Sequence, residues 1–109
     1  MQPQDLNNIT YFNNIRFKNL FFVRYKGLRI SVTRSAMTDM IKLGIDLTDI
    51  KRALEDGYFS PRKRKKGVIE KWIYYGRKTL EVVVIKDFHE LLHQEEWLLI
   101  HCSIFTKKK

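Results

Sequence analysis

Apolar and polar positions along the chain divide into segments of two different periods. "LFFVRY-KG-LRISV", residues 20–32, sets β-prone residues on both sides of Lys26-Gly27, where Gly27 accepts the positive φ of a tight turn. The period then changes to that of a helix. Thr33 is placed to cap a segment in which Ala36, Met37, Met40 and Ile41 share one stripe, and Gly44 stands just past its end. Asp46 opens a second helix with Asp49 three residues on. Leu47, Ile50, Ala53 and Leu54 form its buried face, and Gly57 closes it.

The remainder alternates as strand. "GVIEKWIYY" leads through Gly76-Arg77 into "TLEVVVI", and "WLLIHCSIF" follows. Strict alternation in this last segment puts Leu98, Ile100, Cys102 and Ile104 on one face and Trp97, Leu99, His101 and Ser103 on the other. The order of elements predicts an α+β fold, two short helices packed on an antiparallel β-meander. A chain of 109 residues is most simply one domain, 1–109. Residues 1–19, with "ITYF-NN-IRFK", read as an N-terminal arm or hairpin, and residues 106–109 as a basic tail.

Charge changes the picture more than composition does. The five cations Arg62, Lys63, Arg64, Lys65 and Lys66 and the three of Lys107, Lys108 and Lys109 account for eight of the net +9. The excess is localised, as in a discrete surface for a polyanion. The run between Ser60 and Gly67 reads either as a loop of the fold aimed at phosphates or as a localisation signal. Its place inside the domain favours the loop. Aromatics lie near it in sequence, with Trp72 and Tyr74 on one strand face. They are a base-stacking platform if that face is exposed and core if it meets the helices. Arg34, Arg77 and Lys78 complete the candidate phosphate contacts.

Cys102 is the single cysteine, which fits a reducing, cytoplasmic setting. "MQPQDLNNIT" lacks the basic and apolar regions of a secretory signal, and no apolar run approaches the ~20 residues of a membrane span. "HELLH", His89 to His93, matches the zinc-hydrolase pattern in which two histidines one helical turn apart hold the metal. The connection has room for about two turns of helix and supplies no clear third ligand. A short polar helix with Leu91 and Leu92 facing inward is the plainer reading, with His89 and His93 kept as the alternative metal site. No cofactor is implied. His101 reads either as a general acid or base at a cleft or as a histidine bonded within the sheet.

The segment from Leu28 to Phe105 resembles a family of small proteins of unassigned function related to the BrnT and RelE ribonuclease toxins. The likeness lies in "ISVTRSAMTDMIKLGIDLTDIKRALEDG" and "YYGRKTLEVVVI", with Thr33, Ala36, Met40, Gly44 and Ile45 on the pattern. Ser35 stands where that family usually carries histidine, and Asp39 and Leu43 where it often carries arginine. The resemblance implies a RelE/BrnT-like fold and a metal-independent endoribonuclease of the toxin–antitoxin type, with Arg77, Tyr75 and His101 as catalytic candidates. It also implies RNA, or else DNA, as ligand and an antitoxin protein as partner. The alternatives are a non-catalytic module binding nucleic acid or protein on the same fold, and a small zinc hydrolase.

Overall fold

The computed structural model describes residues 23–62 and 64–106. The expectations for the N-terminal arm, for Lys63 and for Lys107, Lys108 and Lys109 fall outside the described residues. The described chain forms β1 (Arg24–Tyr25), β2 (Leu28–Val32), α1 (Arg34–Leu43), α2 (Leu47–Asp56), β3 (Tyr58–Phe59), β4 (Val68–Tyr75), β5 (Lys78–His89) and β6 (Gln94–Phe105).

Local chemistry sets these boundaries. Lys26 and Gly27 both take positive φ, 51° and 78°, the turn geometry that matches the twist of the flanking strands. The Thr33 hydroxyl accepts the Ala36 N–H at 3.1 Å and starts α1, and Gly44 ends it in the left-handed region at φ 70°. In α2 the Asp46 carboxylate accepts the Thr48 and Asp49 N–H groups, while the Asp49 carboxylate accepts the Asp46 N–H, a reciprocal capping box.

The six strands lie in the order β1-β2-β6-β5-β4-β3. From β4 to β6 the sheet is the expected antiparallel meander, and the short β3, not expected from the sequence, adds to its edge. The expectation of a wholly antiparallel sheet is corrected at one place, since β2 runs parallel to β6 through Ile30–Trp97, Ser31–Leu98 and Val32–Leu99. Two helices and the meander lie between these strands in the chain, which is the long crossover that parallel neighbours require. The fold is therefore α+β with a mixed sheet.

Both helices contribute to one core, α2 against β4 and β5 and α1 alongside β6, where Asp39 can reach past the strand toward its far side. Ala36 and Met40 of α1 and Leu47, Ile50, Ala53 and Leu54 of α2 meet Leu80, Val82, Val84, Trp97, Leu99 and Cys102. Ile41, placed on the α1 stripe by spacing, is 49% exposed because the stripe is narrower than the sequence suggests. The face assignment of β6 is also corrected. Val83 pairs with His101 and Val84 with Leu99, so Ile100 is an extra residue, a β-bulge. The bulge reverses the alternation. Trp97 and Leu99 join Cys102 and Ile104 against the helices, while His101 and Ser103 stay on the opposite, far face.

"HELLH" is not helical. β5 continues to His89 and β6 begins at Gln94, leaving a four-residue turn at the tip of a long hairpin. His93 takes φ 50°, the His89 ring nitrogen accepts the Leu92 N–H, and Leu91 and Leu92 point outward at 88% and 46% exposure. Among the described residues no group of three potential ligands is placed to hold a metal ion, and His89 and His93 lie in a strand end and a turn, not one helical turn apart as expected. No helix among them is long and apolar enough to cross a membrane.

Candidate nucleic-acid interface

Alternation along the meander sorts its side chains between two faces. Ile69, Ile73, Leu80, Val82 and Val84 go to the helices. Glu70, Trp72 and Tyr74 of β4, Glu81 of β5, and His101, Ser103 and Phe105 of β6 go to the far face. Register brings the polar ones together. Trp72 lies opposite Glu81, Glu81 opposite Ser103, and Val83 opposite both Glu70 and His101.

The two carboxylates are the centre of this arrangement. Their side chains are 1% and 5% exposed, a placement that costs free energy unless donors compensate. Donors are supplied from three directions. The Arg64 Nε donates to Glu70 Oε1 at 2.6 Å and the Trp72 indole N–H to Glu70 Oε2 at 2.7 Å. Arg62 donates to Glu81 Oε2 at 3.2 Å and stands 3.9 Å from Glu70. The Ser103 hydroxyl donates to Glu81 Oε1 at 2.9 Å, and His101 Nε2 lies 3.1 Å from the same oxygen. The other ring nitrogen of His101 faces Asp39 of α1 at 3.7 Å.

Burial alone would raise the Glu70 carboxyl. Hydrogen bonding to Glu81, Trp72 and Arg64, together with the Arg64 charge, outweighs burial and lowers it from 4.5 to about 2. Glu70 is thus a fixed anion. It orients Arg64 and Trp72, and beside Glu81 it holds Arg62 over the Trp72 ring at 5.8 Å from the centroid. His101 differs from its neighbours in exposure. Half of its side chain is accessible, so an imidazole anchored by a buried carboxylate faces outward.

Aromatic rings continue the face toward the β4–β5 turn. Trp72 meets Phe105 edge-on at 4.9 Å and Tyr58 at 6.3 Å, and Tyr58 meets Tyr74 at 6.2 Å. Trp72 faces away from the helices yet is only 6% exposed, which matches neither alternative drawn from the sequence. Tyr74, at 70%, is the ring on this face most open to a ligand.

The expected site residues are distributed as follows. Arg62 and Arg64 turn onto the far face and spend part of their charge on Glu70 and Glu81, whereas Lys65 and Lys66 are exposed. Arg34 is exposed at the start of α1. Arg77 and Lys78 lie at the β4–β5 turn, and Lys78 pairs with Tyr75. Tyr75 has the parity of the helix-bearing face. His101 pairs with Val83, five residues along β5 from Lys78, or roughly 17 Å. The three catalytic candidates Arg77, Tyr75 and His101 are therefore not brought together. His101 instead contacts Glu81 and Asp39, and it shares the Glu81 carboxylate with Ser103 and Arg62.

Glu70 and Glu81 were not singled out by motif. The available signal was one carboxylate inside each of two otherwise apolar strands, "VIEKWIYY" and "LEVVVI", on the parity opposite the core residues. Cys102, beside this site in sequence, is a buried core residue. Burial, then the nearby Asp39 and Glu81 charges, pushes its thiol up to about 12. Compared with protein-family models, curated proteins and solved structures, the chain matches none.

Proposed function

We propose that the far face of the sheet binds single-stranded RNA and that His101 promotes its cleavage without a metal. The observation that carries this reading is the Glu81 carboxylate, which contacts a half-exposed imidazole with one oxygen and a guanidinium with the other. The 2′-hydroxyl of RNA needs a proton acceptor to attack the adjacent phosphate, and the departing 5′-oxygen needs a proton. An anchored histidine beside bound RNA can exchange protons in such a step. Charge on the phosphate rises during attack, and a guanidinium held in place stabilises it without reorganising. Lys65 and Lys66 would track the strand backbone, and Tyr74 offers a flat ring for an unstacked base. The reading draws on the RelE/BrnT-like resemblance of the sequence, under which a partner that covers this face would silence it as an antitoxin does.

The test is incubation of the full chain with a short single-stranded RNA in excess chelator, beside the same sequence with 2′-deoxyribose. Cleavage of RNA alone, reduced about 10²–10⁴-fold in His101→Ala, supports the reading. Arg62→Gln should cut the rate while leaving most of the binding. Binding without cleavage of either strand would favour the non-catalytic reading, to which Ser35 in place of the family's histidine also points. Absence of binding to RNA and DNA at low salt would remove both.

A further inference from the structure

The β5–β6 hairpin extends past the last residue of β4 paired with it, since Val68 pairs with Ile85 and the ladder runs on to His89–Gln94. This distal part carries Phe88, Leu91 and Leu92 at 52%, 88% and 46% exposure, an apolar tip on a short turn. Its exposed acids are Asp87, Glu90 and Glu95, against one lysine, Lys86, in a chain whose net charge is +9. Such a tip repels nucleic acid, and an apolar cluster of this kind marks a protein contact.

The opposite end of the same ladder has the complementary character. Tyr74 and Tyr75 are exposed at 70% and 38%, and Arg77 and Lys78 flank them without an acid in the turn. The two ends are eleven residues apart along β5, roughly 37 Å, so they cannot meet within one molecule. A two-fold tip-to-tip contact would oppose acid to acid.

We propose that the acidic, apolar hairpin tip of one copy docks on the Tyr74–Lys78 turn of a second copy. The contact is head-to-tail, so it propagates into a ring or a short filament rather than closing as a two-fold dimer. Apolar side chains at the tip pack against Tyr75, on the strand face opposite Tyr74, while Glu90 and Glu95 face Arg77 and Lys78. Assembly of this kind weakens as salt screens the charges.

Sedimentation velocity on the nucleic-acid-free full chain reads the outcome. Wild type should show concentration-dependent assembly at about 50 mM salt that falls toward monomer at about 500 mM. Glu90→Lys with Glu95→Lys should weaken association at least roughly tenfold, and so should Arg77→Glu with Lys78→Glu. Mixed together, the two reversed variants should assemble again, because each then offers the charge that the other lacks. That recovery separates a lost contact from a misfolded variant. A chain that stays monomeric throughout overturns the proposal. So does assembly that neither reversal alters, or reversed variants that stay folded and do not reassociate on mixing.

Discussion

Glu70→Gln isolates the electrostatic centre of the far face. In the folded protein the Glu70 carboxyl is lowered from 4.5 to about 2, because its hydrogen bonds and the Arg64 charge outweigh the opposing effect of burial. A group whose folded pKa is depressed stabilises the fold above its unfolded pKa and loses that contribution as pH falls toward the folded one. The difference of about 2.5 units corresponds to about 3 kcal/mol, fully present at neutral pH and lost progressively between about pH 4.5 and 2. By pH 3 about 2 kcal/mol of it should be gone. Against a typical domain stability of about 5–15 kcal/mol, that is a large share. The assay is urea unfolding of wild type and Glu70→Gln at pH 7, 4 and 3. Other carboxylates titrate in both proteins, so the informative quantity is the gap between the two profiles. Wild type should be the more stable at pH 7, and the gap should close by about 2 kcal/mol at pH 3. Parallel profiles would mean that Glu70 is not a fixed anion and that Arg62 and Arg64 are oriented by something else.

Three further outcomes are expected. A Cβ on Gly57 would fall on the Ala53 carbonyl oxygen and 2.6 Å from that of Trp72, both backbone, so Gly57→Ala should cost about 1–3 kcal/mol by thermal or urea unfolding. Cys102, pushed up to about 12 by burial first and by Asp39 and Glu81 next, should react with a thiol reagent only as fast as the protein opens. Because the unfolded thiol ionises from about pH 9 while the folded one stays protonated, its contribution falls as pH rises toward 12. Labelling of the native state at the rate of a free thiol would refute the burial. His93→Gly relieves a positive φ in an exposed turn, so it should change stability by less than about 1 kcal/mol and leave metal content unaffected. Stoichiometric zinc in wild type that this variant loses would revive the hydrolase reading.

Local signals proved legible in the sequence. Thr33, Gly44, the Asp46–Asp49 box and the Lys26-Gly27 turn act within a few residues of the chain, so spacing alone located them. The core of α2 followed from its period, and all four expected residues are buried. What depended on distant pairing was not legible. Nothing near Leu28 indicates that β2 will lie parallel to a strand seventy residues away, and nothing in "RKRKK" indicates that Arg62 and Arg64 will fold back onto carboxylates in β4 and β5. "HELLH" misled for a related reason. Its helical spacing is real, but the ladder on either side continues through Phe88–Glu95 and His89–Gln94, and cross-strand bonding decides the conformation of the four residues left between.

The bulge at Ile100 connects fold and site. Trp97 and Leu99 face the helices, so unbroken alternation would carry His101 into the same core and turn Cys102 outward. One extra residue reverses this, and the imidazole reaches Glu81 on the far face while the small, neutral thiol fills the core. Bulges commonly re-aim a side chain in this manner. Deleting Ile100 restores strict alternation and forces a choice. Either His101 enters an apolar core without Glu81, or the strand slips and exposes Leu99, and each outcome costs several kcal/mol. Replacing Ile100 with Val keeps the extra residue and should leave both stability and the His101–Glu81 contact in place. A deletion variant as stable as wild type would show that the bulge does not set the orientation of His101. The case for a reactive histidine on this face would then lose its structural basis.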